Sequence, residues 1–145
     1  MDSAVSHAVL FESMAQVLEA MFFVSPCASP RIDPEDNPIV VSLCFEGSPG
    51  GSLRVQVAPR AALAMAVDFL AADESRLTRR QVEDVMCEMT NMICGAALSR
   101  LESEQALRLS TPCIVTGGGG PEMPGAVEQS VDIGSGVITA TLVFS

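Results

Sequence analysis

Leu77-Thr-Arg-Arg-Gln-Val-Glu-Asp-Val-Met-Cys-Glu-Met-Thr-Asn-Met-Ile-Cys-Gly-Ala-Ala-Leu-Ser-Arg-Leu-Glu-Ser-Glu104 is the longest run of helical periodicity in the chain. Its start carries a capping box. The Thr78 hydroxyl can accept from the free N–H of Gln81, the Gln81 side chain can reach back, and Leu77 and Val82 stand at staple positions. Val82, Val85, Met86, Met89, Ile93, Ala96, Ala97 and Leu101 recur at one, three and four residues, the spacing of an apolar stripe facing a core.

On the other side of that helix, Asp84, Glu88, Asn91, Gly95, Ser99 and Glu102 recur at three and four residues and so form one row. Glu88 and Asn91 are neighbours in it, with Cβ atoms about 5–6 Å apart. Asn and Gly are poor helix formers, and propensity alone selects neither for an exposed mid-helix position. A carboxylate, a carboxamide and a bare glycine in one row suit a docking surface that also carries chemistry. The simpler account, a solvated polar face with an incidental Asn and a Gly kept for tight helix packing, stays open on spacing alone. Thr90, between Glu88 and Asn91, is expected on the flank of the row.

Outward from this helix, the spacing predicts an earlier helix over about Ser6–Phe23, with Leu10, Phe11, Met14, Val17, Leu18, Met21 and Phe22 on its apolar face. His7, the single histidine, is expected to be a solvated residue at the helix start, which leaves no histidine for a triad or a metal site. Residues 25–38, with Pro26, Pro30, Pro34 and Pro38 among Asp33, Glu35 and Asp36, read as an irregular acidic loop, and the ligand pattern of a calcium loop is missing. Ile39, Val41, Leu43 and Phe45 alternate, as do Leu53, Val55 and Val57 beyond Gly47-Ser-Pro-Gly-Gly51, predicting a hairpin with one buried face. Pro59 opens a helix to about Ala72, expected to bury Ala62, Leu63, Ala66, Phe69 and Leu70.

Beyond the long helix, Leu107–Val115 shows a strand pattern broken at Pro112. Gly117-Gly-Gly-Gly-Pro121 lacks the Gly-Lys-Ser/Thr of a phosphate loop and reads as a mobile loop. Val127 to Ile133 and Val137 to Phe144, joined at Gly134-Ser-Gly136, predict a closing hairpin. The fold class is therefore α+β: an antiparallel β-sheet with helices packed on one face. Helix followed by hairpin occurs twice, which fits a duplication without a residue-level repeat.

Composition narrows the function. At 145 residues one domain, 1–145, is expected, and 48% hydrophobic content without a run of about 20 apolar residues implies a full core or a subunit interface rather than a membrane span. Eighteen acidic residues against eight basic ones give a formal charge of −10, and with no Trp or Tyr the chain lacks what nucleic-acid binding needs. No basic segment precedes the first apolar residues, so a cytoplasmic protein is expected. Cys27, Cys44, Cys87, Cys94 and Cys113 form no Cys-x-x-Cys pair; they read as small buried hydrophobes in a reducing compartment, and no metal site is expected.

Glu88-Met-Thr-Asn-Met-Ile-Cys-Gly95 resembles the Glu-x-x-Asn signature of the CheC/CheX/FliY family, phosphatases acting on the phosphorylated response regulator CheY. One copy on a long helix late in the chain is most similar to the CheX type. Gly51-Ser-Leu-Arg-Val-Gln-Val-Ala-Pro59, an Ala-rich helix, Ser110-Thr-Pro112 and the terminal hairpin follow the CheX order over most of the chain. In Glu19-Ala-Met-Phe22, where a two-site member would carry a further signature, Phe22 stands in the Asn position, so one site is expected.

The resemblance implies a CheC/CheX-like α/β sandwich and a homodimer formed through its sheet. It also implies that Asn91 orients a water against the aspartyl phosphate of a phosphorylated CheY-like response regulator, while Glu88 docks to that regulator's lysine. Asp84, Gly95 and Ser99 are then docking positions on the same row. No cofactor of its own is expected, Mg2+ being supplied by the regulator. A non-catalytic regulator or flagellar-switch binding module and, on the coarse helix-and-strand pattern, a hot-dog thioesterase are the alternatives.

Overall fold

The computed structural model describes residues 3–28, 37–47, 50–101, 108–115 and 125–144. Helix α1 (Ser3–Phe22) is followed by a two-residue strand β1 (Cys27–Ala28), the hairpin β2 (Ile39–Glu46) and β3 (Gly51–Val57), and helix α2 (Pro59–Leu70). A single 3-10 turn (Glu74–Arg76) leads into α3 (Arg79–Arg100), and strands β4 (Arg108–Leu109), β5 (Cys113–Ile114), β6 (Val127–Asp132) and β7 (Val137–Phe144) complete the chain. The strands form one antiparallel sheet in the order β1-β6-β7-β3-β2-β4, with β5 also paired to β2.

Alternation in the sequence sets the register. Ile39, Val41, Leu43 and Phe45 lie opposite Val57, Val55, Leu53 and Gly51, and these lie opposite Ile138, Ala140, Leu142 and Phe144. A slip by one residue would turn this buried set outward and bring Ser42, Arg54 and Thr141 into the core, so burial fixes the pairing. The same apolar set forms one cluster with Leu10, Met14, Leu18 and Phe22 of α1, Ala61, Ala62, Met65 and Ala66 of α2, and Met86, Met89 and Ile93 of α3. The expected architecture, an antiparallel sheet with helices over one face, is the one found.

Several details differ from the sequence reading. Within the stretch read as a loop, Cys27 and Ala28 pair with Asp132 and Val131 and extend the sheet beyond β6. Residues 29–36, including Asp33 and Glu35, together with Glu102, Leu107 and the tract 117–121, lie outside the described residues. Helix α2 is rotated from its expected face. It buries Ala61, Ala62, Met65 and Ala66 while Phe69 and Leu70 are 40% and 41% exposed. Close packing explains this: a Cβ added to Gly136 would stand 3.0 Å from that of Ala61, so the small side chains make the approach and the large ones move to the rim.

His7 is half-buried rather than solvated. The Gln129 side-chain amide of β6 donates to the His7 carbonyl at 3.1 Å, tying α1 to the sheet. The cysteines also depart from expectation, since Cys94 alone is buried while Cys27, Cys44 and Cys113 are exposed and Cys87 is half-buried. Cys44 alternates with the buried Leu43 and Phe45 along β2 and so faces the other side of the strand, while Cys113 lies on the two-residue strand β5.

The broken pattern around Pro112 has a clear outcome. Strands β4 and β5 are two segments that dock on the same strand, β2, on either side of the break. Between them, Ser110 exchanges bonds with Cys44: its N–H donates to the Cys44 carbonyl and its hydroxyl accepts from the Cys44 N–H, both at 2.8 Å. Pro112, which has no N–H to give to a ladder, falls in the gap.

Candidate active site

The row read from the sequence lies on α3, and the helix is fixed at both ends. At the start, Gln81 donates its backbone N–H to the Thr78 hydroxyl at 3.1 Å, while the Thr78 N–H donates to the Gln81 side chain at 2.9 Å, so the capping box is complete. At the other end, the Arg100 guanidinium donates to the Gln16 side chain, and more weakly to the Ser13 hydroxyl at 3.4 Å, both on α1. Glu12 of α1 adds an ion pair to Arg100 at 3.9 Å. Exposed pairs of this kind add little stability, but they fix position and direction.

Between these anchors α3 packs on α1, α2 and the sheet, and its buried residues extend around most of the helix: Val82, Val85, Met86, Met89, Thr90, Ile93, Cys94, Ala97 and Leu98. One ridge remains outside. Asp84, Glu88, Gly95 and Ser99 are exposed on it and Asn91 is half-buried. Neither the Glu88 carboxylate nor the Asn91 carboxamide has a hydrogen-bond or ion-pair partner among the described residues. The structure thus brings all five residues to one ridge and leaves the polar groups of the central two unspent.

Gly95 removes one part of the simpler account of that ridge. A Cβ placed on it would meet nothing within 4 Å among the described residues, so the glycine is not kept for packing against a neighbouring helix. Gly95→Ala should therefore raise stability by roughly 0.5–1 kcal/mol, the ordinary helix-propensity gain. A rise in Tm of a few degrees is the expected reading, whereas a fall would reveal an unseen close contact.

Two residues were missed or misplaced on the sequence alone. Thr90 is fully buried, not on the flank, and its hydroxyl donates to the Met86 carbonyl one turn back at 2.8 Å. Its spacing from Met86, Ile93 and Ala97 was the signal for burial, and the hydroxyl masked it. Met92 is 39% exposed and lies one turn beyond Glu88, adding a flexible apolar side chain to the edge of the ridge.

The flanking thiols are held toward their protonated form. Burial raises the Cys94 thiol to about 12, and burial, followed by the charges of Asp84 and Glu83, raises that of Cys87. Among the described residues no group of three His, Cys, Asp or Glu side chains could hold a metal ion.

The segment 39–131, which includes both strands of the first hairpin and the whole of α3, matches the family model of the chemotaxis phosphatase CheX. The chain belongs to the CheX family. CheX from Vibrio vulnificus superposes with a TM-score of 0.82 at 20% identity, over 100% of this chain and 99% of that one. A CheX–CheY–BeF3–Mg complex from Borrelia burgdorferi gives 0.74 at 17% identity, over 94% and 96%. FliY from Thermotoga maritima gives 0.63 at 13% identity, over 91% and 83%. At these identities the superpositions establish the shared CheX fold. No curated protein matches by sequence. Among the described residues no helix is long and apolar enough to cross a membrane.

Proposed function

We propose that the protein accelerates hydrolysis of the aspartyl phosphate on a CheY-like response regulator by inserting the α3 ridge into the regulator's site. The observation that carries this reading is the outward-facing pair Glu88 and Asn91, unpartnered among the described residues and borne on a helix fixed at both ends. Membership of the CheX family supports it, as does the Borrelia CheX seen in complex with CheY, BeF3 and Mg.

Hydrolysis requires a water to attack phosphorus in line with the bond to the aspartyl oxygen. That bond breaks, leaving inorganic phosphate and a free carboxylate. The regulator supplies its own Mg2+ to the phosphoryl oxygens, and what remains to be supplied is a positioned water. Asn91 suits this task. Its carbonyl oxygen accepts from the water and its amide donates, without a charge that would repel the phosphoryl group. Glu88, one turn earlier, pairs with the regulator's lysine and sets the approach of the helix, while Asp84, Gly95 and Ser99 line the remainder of the contact. No covalent intermediate forms on this chain. The working state is a homodimer joined through the sheet, in the cytoplasm where response regulators act.

The test is to add the purified protein to receiver domains loaded with acetyl phosphate and follow phosphate release. Faster release supports the reading; binding without acceleration would make the protein a non-catalytic module. Glu88→Lys should raise the half-saturating regulator concentration by about tenfold or more, since an attraction becomes a like-charge contact. An unchanged value would remove Glu88 from docking.

A further inference from the structure

Arg80 lies on the same side of α3 as the site. At 100° per residue it is offset from Asn91 by about 20° around the helix and about 16 Å along it, and Asp84 and Glu88 lie between. Its side chain is exposed and has no ion-pair partner among the described residues, not even Asp84 one turn on. Arg79 beside it is engaged, pairing with Glu83 at 3.2 Å.

The position is an unfavourable one for a cation. Arg79 and Arg80 occupy the first turn of α3, which contains no acidic residue, and a positive charge there opposes the helix macrodipole. Arg79 is offset by Glu83; Arg80 has no such compensation among the described residues. Meanwhile the formal charge of −10, with Asp84 and Glu88 on the ridge itself, repels any partner that presents a phosphoryl group. A free arginine in line with Asn91 is the group that offsets this repulsion where the partner must land.

Resting on the reading that the partner is an aspartyl-phosphorylated receiver, we propose that Arg80 is a docking residue that meets acidic side chains on the receiver's surface about 16 Å along the helix from the residue aimed at its phosphorylated carboxylate. Arg80 touches no reacting atom. It acts on encounter and register, so its effect belongs to half-saturation and to salt dependence, not to the maximal rate.

The experiment titrates wild type, Arg80→Gln, Arg80→Glu and Arg60→Glu against a receiver domain activated with beryllium fluoride, at about 50 mM and about 500 mM salt, alongside dephosphorylation kinetics. Arg60, exposed at the start of α2, controls for net charge. Arg80→Glu should weaken binding about tenfold at low salt and less than about twofold at high salt, with Arg80→Gln between and the maximal rate unchanged. Arg60→Glu should change binding less than about twofold. Equal binding by Arg80→Glu and wild type, or an equal loss in Arg60→Glu, would overturn the proposal while leaving the phosphatase reading intact. A wild type that neither binds nor accelerates would overturn the phosphatase reading, and this proposal with it.

Discussion

An Asn91→Ala variant is expected to fold, bind the phosphorylated receiver and fail to accelerate its dephosphorylation, with the maximal rate falling at least about 100-fold. The separation of effects is what identifies the role. Asn91 is half-buried on the ridge and makes no hydrogen bond among the described residues, so truncation leaves no buried group there unsatisfied. Alanine also favours the helix by about 0.5 kcal/mol, so Tm should hold or rise slightly. With Glu88 in place the half-saturating receiver concentration should change little, the signature of an interaction made only in the transition state. A mutant with wild-type turnover would end the assignment.

Gly51→Ala should have the largest effect on stability. The glycine opens β3 opposite Phe45 of β2 and Phe144 of β7. A Cβ there would lie 2.0 Å from the Val143 carbonyl oxygen and 2.8 Å from the tip of the Phe45 ring. The ring can turn aside only by giving up its edge-on contact with Phe144, whose centroid is 6.1 Å away, and the Val143 carbonyl is backbone of a paired strand. The strands must part at this end of the sheet, at a cost of about 2–3 kcal/mol and a fall in Tm of roughly 10 °C. Activity per folded molecule should be preserved, because the capping box and the Arg100 contacts that fix α3 are untouched. A Tm within about 2 °C of wild type would show that the chain relieves the clash without loss.

The parts of the molecule readable in the sequence are those whose determinants are local or periodic. Thr78 and Gln81 announced the start of α3 because a capping box is a four-residue event, and the hairpin register followed from alternation that admits one buried face. The ridge was legible for the same reason, as Asp84, Glu88, Asn91, Gly95 and Ser99 share a face through helix geometry alone. What escaped depends on partners distant in the chain. Cys27 and Ala28 form a strand because Val131 and Asp132 offer an edge about a hundred residues later, and nothing in their own proline-rich surroundings signals it.

The orientation of α2 was hidden by a related effect. Burial usually follows size, yet here Ala61, Ala62 and Ala66 go inside beside Met65 while Phe69 and Leu70 stay at the rim, because the close approach of Ala61 to the turn at Gly136 sets which face of the helix meets the sheet. Thr90 shows the limit of reading by polarity, since a hydroxyl that donates to its own helix can be as deeply buried as a methionine.

Being held by Thr78 and Gln81 at one tip and by Arg100 at the other, α3 enters an encounter already shaped, like a key cut before the lock is met. Folding thus orders the backbone beneath the amide and the acid, and only their two side chains remain to be arranged on contact. On the proposed function, discrimination among sister receivers would then rest on whether their recess lies at the matching depth, and a mismatch of about an ångström would be enough to cost most of the rate.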